Sequence, residues 1–537
     1  MKKLLQLLFI SSILLSFISC VYEPKVYNFP NRIVDPTIDN VDKKETPTNK
    51  KHVDTLLVCY MDGDNDLEKD IKADLREARE GYALIKNTDD VEVLVLWDGL
   101  GKGDSCLYRI ARNNRLEDIS EGISWMRYTD NDGQIYYEVN MNDYKTLANY
   151  LTWVKDHYSY NNIILQMSDH GVGPGTHFPP IERAVCQDWN TTNGTGRFDL
   201  LGTEDIPKAI KESGINKIDL VIEDVCLGGT IEEVYAFRDV ADYMLLSPNL
   251  VPKTGMDYTF LVSSLSTGQF VIDRKLQTEK YLDAIVCHYM KDSYAAISPA
   301  YVNELKKEIS KQYENNNQTI TEEELNLQVS YKLLYSTNAI VKTLSGFKLK
   351  DIENVKVAVD NFVDSFPSIN ASNAITNFID NAVNPNRKYY EQMFNIFNGS
   401  NKYSSNVSYL YDIGMLCDDV INKFDVTDLD QNIVNNIKNT AQKLKESLNN
   451  VVVCSWRDGV NGALYNKTSN KNISSHPAFE NGSYGLLICG PSNYRKVKPE
   501  VGMNPYYEED LSFGRDSKWN DFCKKVCNTE HGKIIKL

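Results

Sequence analysis

Residues 161–175, NNIILQMSDHGVGPG, and residues 217–235, KIDLVIEDVCLGGTIEEVY, are built to one plan. In each, a short apolar run stops at a reactive side chain beside glycine, His170 in the first and Cys226 in the second. Runs of this length, apolar at nearly every position, read as strands buried on both faces, the pattern of a parallel sheet covered by helices. In such sheets functional groups gather beyond the carboxyl ends of the strands. Both residues fall there.

The same alternation extends in both directions. VDTLLVCYM (53–61) and VEVLVLWDG (91–99) read as buried strands, and CLYRIAR as a shorter one. Between the first two, DLEKDIKADLREAREGYALIKN sets Leu67, Ile71, Leu75, Ala78 and Tyr82 on one helical stripe. DYKTLANYLTWVKDHY (143–158) does the same with Leu147, Leu151, Val154 and Tyr158. A helix opened by Thr203 precedes the Cys226 strand, and helix TIEEVYAFRDV and strand YMLLSP follow it. Strands alternating with amphipathic helices imply an α/β fold with a mostly parallel central sheet. We take 53–300 as this core. From 301 to 450 the chain turns Asn- and Lys-rich with helical periodicity, which reads as a helical insertion without evident chemistry. Strands VVVCSW and GSYGLLICG and a closing helix KWNDFCKKV mark a return to the core over 451–537.

The balance of 74 acidic against 58 basic residues gives a net charge of −16. No basic excess is left to neutralise phosphates, which argues against a nucleic-acid partner. The first twenty residues, MKKLLQLLFISSILLSFISC, carry a basic start at Lys2 and Lys3 and an apolar stretch too short for a comfortable membrane span. The stretch ends in Phe17-Ile18-Ser19-Cys20, which resembles a bacterial lipobox, with Phe17 where Leu is usual. Residues 1–19 are then a lipoprotein signal peptide, Cys20 the acylated residue and 20–52 a flexible tether. An ordinary signal peptide cut near Ser19 is the other reading. The chain is expected to be exported and to meet a bacterial membrane through its lipid alone. Its 11 cysteines are scattered and show no disulfide framework. Cys59, Cys454 and Cys489 lie in apolar runs, as small core residues do. Cys523 and Cys527 have no second pair nearby to make a zinc site.

A thiol is mostly protonated at neutral pH and needs a partner that favours the thiolate. The turn after Cys226 is expected to open a helix whose dipole acts in that direction. An imidazole on the adjacent strand can protonate a leaving group. Gly171 would let the backbone approach a substrate carbonyl and offer its N–H to an oxyanion. Either half alone reads as packing or as a turn. Two consecutive strand ends carrying acid and nucleophile read as a catalytic dyad.

At these residues the chain resembles the clostripain-like cysteine peptidases, within the caspase-like group. Their His-Gly and Asp-x-Cys motifs are matched by Asp169-His170-Gly171 and by Asp224-Val225-Cys226-Leu227-Gly228-Gly229. YMDGDNDLE (60–68), LANYLTWVKDHY, PKTGMDY (252–258), GSYGLLICGPSNY and SFGRDSKWNDF extend the likeness over most of 53–300 and roughly 450–530. The resemblance implies a caspase-like α/β/α sandwich and an endopeptidase acting on proteins or peptides after Arg or Lys. It makes Cys226 the nucleophile, His170 the general acid/base, and the N–H groups of Gly171 and Cys226 the oxyanion hole. Asp224 would meet a basic P1 side chain, with Asp257 a second candidate; a loop-capping role for Asp224 stands beside that reading. Self-processing is expected between the dyad members, at Arg183-Ala184, with Arg197-Phe198 as an alternative. In many relatives, acidic residues follow a serine in the loop after the next strand. Here that loop is Ser247-Pro248-Asn249-Leu250. A non-basic P1 preference is therefore an alternative, and so is an inactive caspase-like lipoprotein that binds a partner.

No cofactor is required by these residues. The resemblance leaves calcium open without locating it. Asp62, Asp64 and Asp66 are spaced like the start of an EF-hand loop, but Leu67 stands where its glycine belongs and Ala73 where its bidentate glutamate belongs. The acidic turn is expected instead to cap the following helix, and no residue is assigned to a metal.

Overall fold

The computed structural model describes residues 38, 41–45, 49–86, 90–129, 132–171, 173, 184–186, 188–189, 201–248, 251, 255–266, 268–296, 299–315, 319–321, 325, 343–367, 410–424, 429–457, 464–466, 471–474, 484–490 and 511–527. Cys20 and Arg183 lie outside them, as do Arg197, Asn249 and Leu250. Packing divides the chain into two interleaved units. The first is Met1–Gly173, Pro180–Gly228 and Lys253–Gln277, and the second Pro174–Pro179, Gly229–Pro252 and Thr278–Leu537.

In the first unit the strands are β1 (Val41–Lys43), β2 (Lys51–Gly63), β3 (Val91–Gly99), β4 (Cys106–Ala111), β5 (Arg115–Asp118), β6 (Tyr158–Ser168) and β7 (Ile218–Asp224). They hydrogen-bond in the order β1-β5-β4-β3-β2-β6-β7. β3-β2, β2-β6, β6-β7 and β1-β5 are parallel, while β4 pairs antiparallel with both β3 and β5. The fold is α/β with a mostly parallel sheet, as the continuous apolar runs required. β2 is buried from Val53 to Gly63, on both faces. Cys59 within it is fully buried, which pushes its thiol pKa up and keeps it an inert core residue.

Helices α1 (Glu68–Ala83) and α2 (Tyr144–His157) connect these strands, followed by α3 (Asp205–Ser213), α4 (Ile231–Ala236) and α5 (Tyr258–Ser263). α4 belongs to the second unit. α1 buries Ile71, Leu75, Ala78 and Tyr82, the stripe set by their spacing, leaving out Leu67. Each large apolar side chain so removed from water contributes roughly 1.5–3 kcal/mol. α1 also receives α5 closely, because a Cβ on Gly81 would lie 2.6 Å from the Thr259 carbonyl oxygen. Glu77 Oε2 accepts from the Tyr258 N–H at 3.2 Å at the same junction. Tyr158, assigned to α2 by periodicity, instead begins β6 and gives its hydroxyl to Glu92 at 3.0 Å.

In the second unit β8 (Ala241–Leu246), β9 (Thr343–Lys348) and β11 (Val452–Arg457) form antiparallel pairs in that order. β10 (Leu410–Asp412) pairs antiparallel with β12 (Leu487–Cys489). The segment 301–450, expected to be helical, therefore also supplies strands. β9 is six residues long with a glycine at Gly346, too short to stand out against Asn- and Lys-rich flanks. A Cβ on Gly346 would lie 2.8 Å from Cys454 Sγ, so the ladder needs glycine there. The helix read over IVNNIKNTAQKLKESL is present as Gln431–Val451. The helix read over TEEELNLQVSYKLLYS lies largely outside the described residues. Among those described, no helix is long and apolar enough to cross a membrane.

Candidate active site

β6 and β7 run side by side in parallel, with Ser168 opposite Asp224. Two residues further on, where the chains leave the ladder, His170 and Cys226 occupy matching places. The two exits touch through their backbones. A Cβ on Gly171 would lie 2.2 Å from the Cys226 carbonyl oxygen and 2.8 Å from its nitrogen. Glycine at 171 is thus required by the approach of Cys226 itself, a reason the sequence did not disclose. Leu227, next after the thiol, has φ +64°, a left-handed conformation that costs a non-glycine residue about 1–2 kcal/mol. Such strain persists only where the surrounding structure fixes the backbone. The turn does not open a helix directly: α4 begins at Ile231, capped by Thr230, so Cys226 lies outside its first turn.

His170 is buried and its Nε2 donates to Asp66 Oδ1 at 2.7 Å. Burial alone would lower its pKa, but the hydrogen bond to Asp66 and the charges of Asp169, Asp66 and Cys226 outweigh it, and the net shift is upward. With Nε2 as the donor to Asp66, Nδ1 is the ring nitrogen that this bond leaves unused. Asp169 in turn accepts from Asn65 Nδ2 at 2.7 Å. The turn 62–66 therefore positions the histidine. It does not cap α1 as expected: Leu67 is the N-cap, without a side-chain cap bond, while Asp62 and Asp64 are fully buried. The role of Asp66 was missed because nothing in DGDND says which carboxylate faces a strand 104 residues away.

Asp224 is buried one strand residue before the exit. Its Oδ2 accepts from the Met256 N–H at 2.8 Å and lies 3.2 Å from the Tyr258 hydroxyl. That hydroxyl accepts from Gln166 Nε2 at 2.6 Å and lies 3.2 Å from Ser168 Oγ. A second carboxylate, missed in the sequence, is close by. A Cβ on Gly255, at φ +57°, would lie 2.6 Å from Asp224 Oδ2 and 3.3 Å from Asp74 Oδ2. Burial and then the charge of Asp224 push Asp74 well above the ordinary carboxylate range. The available signal was an aspartate between Ile71 and Leu75 on the buried stripe of α1. Asp257, the other pocket candidate, is exposed and caps α5, its Oδ1 accepting from the Phe260 N–H at 2.8 Å. Ala184 begins a short strand, Ala184–Val185, paired antiparallel with Leu201–Gly202.

Comparison with known proteins agrees with this architecture. A family-wide sequence model described as the clostripain family matches residues 59–525. Clostripain of Hathewaya histolytica is 24% identical over 552 aligned residues, covering 96% of this chain and 93% of the relative. Among solved structures, a secreted C11 cysteine protease from Bacteroides thetaiotaomicron bound to an irreversible peptide inhibitor superposes with a TM-score of 0.52. It is 17% identical and covers 87% of this chain and 99% of its own. Iotapain from the same organism gives a TM-score of 0.50 at 12% identity, over 89% of this chain and 100% of its own. These likenesses place the fold, and the match over most of the sequence places the lineage: the chain belongs to the clostripain family and is a cysteine peptidase.

Proposed function

We propose that the protein is an exported endopeptidase that cleaves after Arg or Lys with a Cys226–His170 dyad. The observation that carries the dyad is the backbone contact of Gly171 with Cys226, which brings the two strand exits together. Cys226 Sγ attacks the scissile carbonyl carbon and forms the S–C bond. The resulting oxyanion is met by the N–H groups of Gly171 and Cys226. His170 Nδ1 takes the Cys226 thiol proton as Sγ attacks and gives it to the leaving amine as the C–N bond breaks. Water then adds to the thioester as His170 Nδ1 takes a proton from it, and the S–C bond breaks, the carboxylic acid leaving and that proton returning to Cys226 Sγ. Asp66 holds the imidazole in the required tautomer and favours its charged form.

Asp224 with Asp74 supports a basic P1 residue. Two buried carboxylates on one side of Gly255 create a negative field that a guanidinium or ammonium relieves. This pair answers the missing acidic loop at Ser247-Pro248-Asn249-Leu250, because the second carboxylate comes from α1 instead. Asp257 is a peripheral contributor at most, since its carboxylate serves a helix cap. Self-processing at Arg183-Ala184 follows from the same preference. Export rests on residues 1–20 and accords with a relative described as secreted, and lipid attachment at Cys20 rests on the lipobox.

The test incubates the purified protein and its Cys226→Ala and His170→Ala variants with a mixed peptide library, with cleavage sites read by mass spectrometry. Cuts after Arg and Lys that vanish in both variants support the proposal. Cuts after other residues keep the dyad and overturn the pocket. Cutting that persists in Cys226→Ala overturns the dyad.

A further inference from the structure

The loop that runs from Gly255 into α5 closes on one carboxylate oxygen of the sheet. A Cβ on Gly255 would lie 2.6 Å from Asp224 Oδ2, the Met256 N–H donates to that oxygen at 2.8 Å, and the Tyr258 hydroxyl lies 3.2 Å from it. Tyr258 is the first residue of α5 and is fully buried. Its own N–H is bonded to Glu77 on α1, so its backbone is tied to a neighbouring helix. From there the phenol reaches three side chains, Gln166 and Ser168 of β6 and Asp224 of β7.

A phenol has one proton to give. Gln166 Nε2 donates to the Tyr258 oxygen at 2.6 Å, which leaves that proton for Ser168 Oγ or Asp224 Oδ2, each at 3.2 Å. The carboxylate is the stronger acceptor because it is charged. Burial, and then the charges of Asp224 and Asp74, push the phenol pKa well above its ordinary value, so Tyr258 stays a donor at neutral pH. Packing alone would be served as well by phenylalanine, without the cost of burying a hydroxyl. Two donors from one loop therefore fix the rotation of the Asp224 carboxylate before any substrate arrives. Ordering completed in advance is not charged against binding.

We propose that Tyr258 is a positioning residue for substrate selection: by donating to Asp224 Oδ2 beside the Met256 N–H, it locks the carboxylate in the orientation that receives a basic P1 side chain. This rests on the role of Asp224 at P1 argued above. Tyr258 touches neither the scissile bond nor the cation, and acts through Asp224 alone. Its contribution falls on capture of the cation and not on the chemistry at Cys226.

The experiment measures KM and kcat on a fluorogenic peptide with Arg at P1, and the inhibition constant of agmatine, a guanidinium that mimics the Arg side chain. Neither KM nor the inhibition constant depends on how much of the enzyme is folded. Tyr258→Phe should raise both about tenfold, the weight of a hydrogen bond to a charged group, with kcat little changed. Asp224→Asn should raise them further, and in that background Tyr258→Phe should add little, because the two residues act as one unit. Tyr82→Phe removes another buried phenol hydroxyl of the same unit, bonded to the Val91 carbonyl at 3.1 Å, and should leave both constants as they are. Wild-type constants in Tyr258→Phe overturn the proposal, as does a loss confined to kcat, an equal rise in Tyr82→Phe, or a full further cost in the Asp224→Asn background. Should Tyr258→Phe not fold, Gln166→Met carries the test: it keeps the phenol, removes the amide that orients it, and should raise both constants by a smaller factor, with unchanged constants overturning the proposal. Agmatine inhibition that Asp224→Asn leaves untouched instead overturns the P1 reading of Asp224, and the inference falls with it.

Discussion

The carbonyl oxygen of Cys226 fills the space beside Gly171 where a side chain would begin, 2.2 Å from the position of a Cβ. Backbone rather than a movable side chain occupies that space, so Gly171→Ala must push the two strand exits apart. The expected loss is about 1–3 kcal/mol of stability, as for an overpacked core, read from urea unfolding. The fall in kcat/KM should exceed what partial unfolding explains, because the displaced atom belongs to the residue proposed as the nucleophile.

Asp66→Asn removes the partner that raises the His170 pKa. Imidazolium is then lost at lower pH, and the alkaline limb of kcat/KM should move toward acid. Losing a hydrogen bond to a charged group is worth about 1.5–3 kcal/mol, so activity should fall about 10- to 100-fold at neutral pH. The stability effect carries a matching sign. A histidine whose pKa is raised on folding adds stability below its unfolded pKa and loses it as pH rises through the folded one. The variant's deficit in melting temperature should therefore shrink on the alkaline side. Asp66 is 42% exposed on its side chain, so added salt should imitate part of the change in the wild type.

If Asp224 lines the P1 pocket as proposed, Asp224→Asn leaves the shape of that pocket and removes charge. Leaving a buried cationic partner unmatched costs about 2–5 kcal/mol, which is about 30- to several-thousand-fold in kcat/KM for Arg and Lys peptides. Asp74→Asn should cost less, about tenfold, and should relax the discrimination against uncharged P1 residues. Peptide series differing only at P1 would decide it. An Asp74→Asn enzyme with unchanged selectivity would remove Asp74 from the pocket.

Arg183→Ala should leave the chain intact on denaturing gels, while the wild type yields a new N-terminus at Ala184. Cys226→Ala should also stay whole when purified alone. A Cys226→Ala chain split at that bond would mean that a different protease does the cutting.

The central strands were readable because burial on both faces writes itself as continuous hydrophobicity in VDTLLVCYM, VEVLVLWDG, NIILQMS and KIDLVIEDV. The positions of His170 and Cys226 were readable for the same reason, since each stands where such a run stops. Partnerships set by tertiary packing were not. Asp66 and Asp74 are ordinary helix-flanking and helix residues until β6 and the loop at Gly255 are brought against them. The acids at 62 and 64 read as part of a helix-capping turn because local sequence carries no sign that Asp98 and Asp188 approach them. β9 was hidden by its length, and its place in an antiparallel ladder is decided by strands about 100 residues away on either side.

A chain cut at the proposed site would keep β6 and β7 paired. The proposed cut after Arg183 would leave His170 on an upstream polypeptide and Cys226 on a downstream one. Main-chain bonds from Ile164 opposite Leu220 to Ser168 opposite Asp224 still join them, and Asp188 and Trp189 stay bonded to Met141 and Asp64 across the break. One gene product would then become, in effect, a two-subunit enzyme with half of the proposed dyad on each subunit. Neither fragment should then be competent alone, and separately expressed halves should regain activity only by complementation.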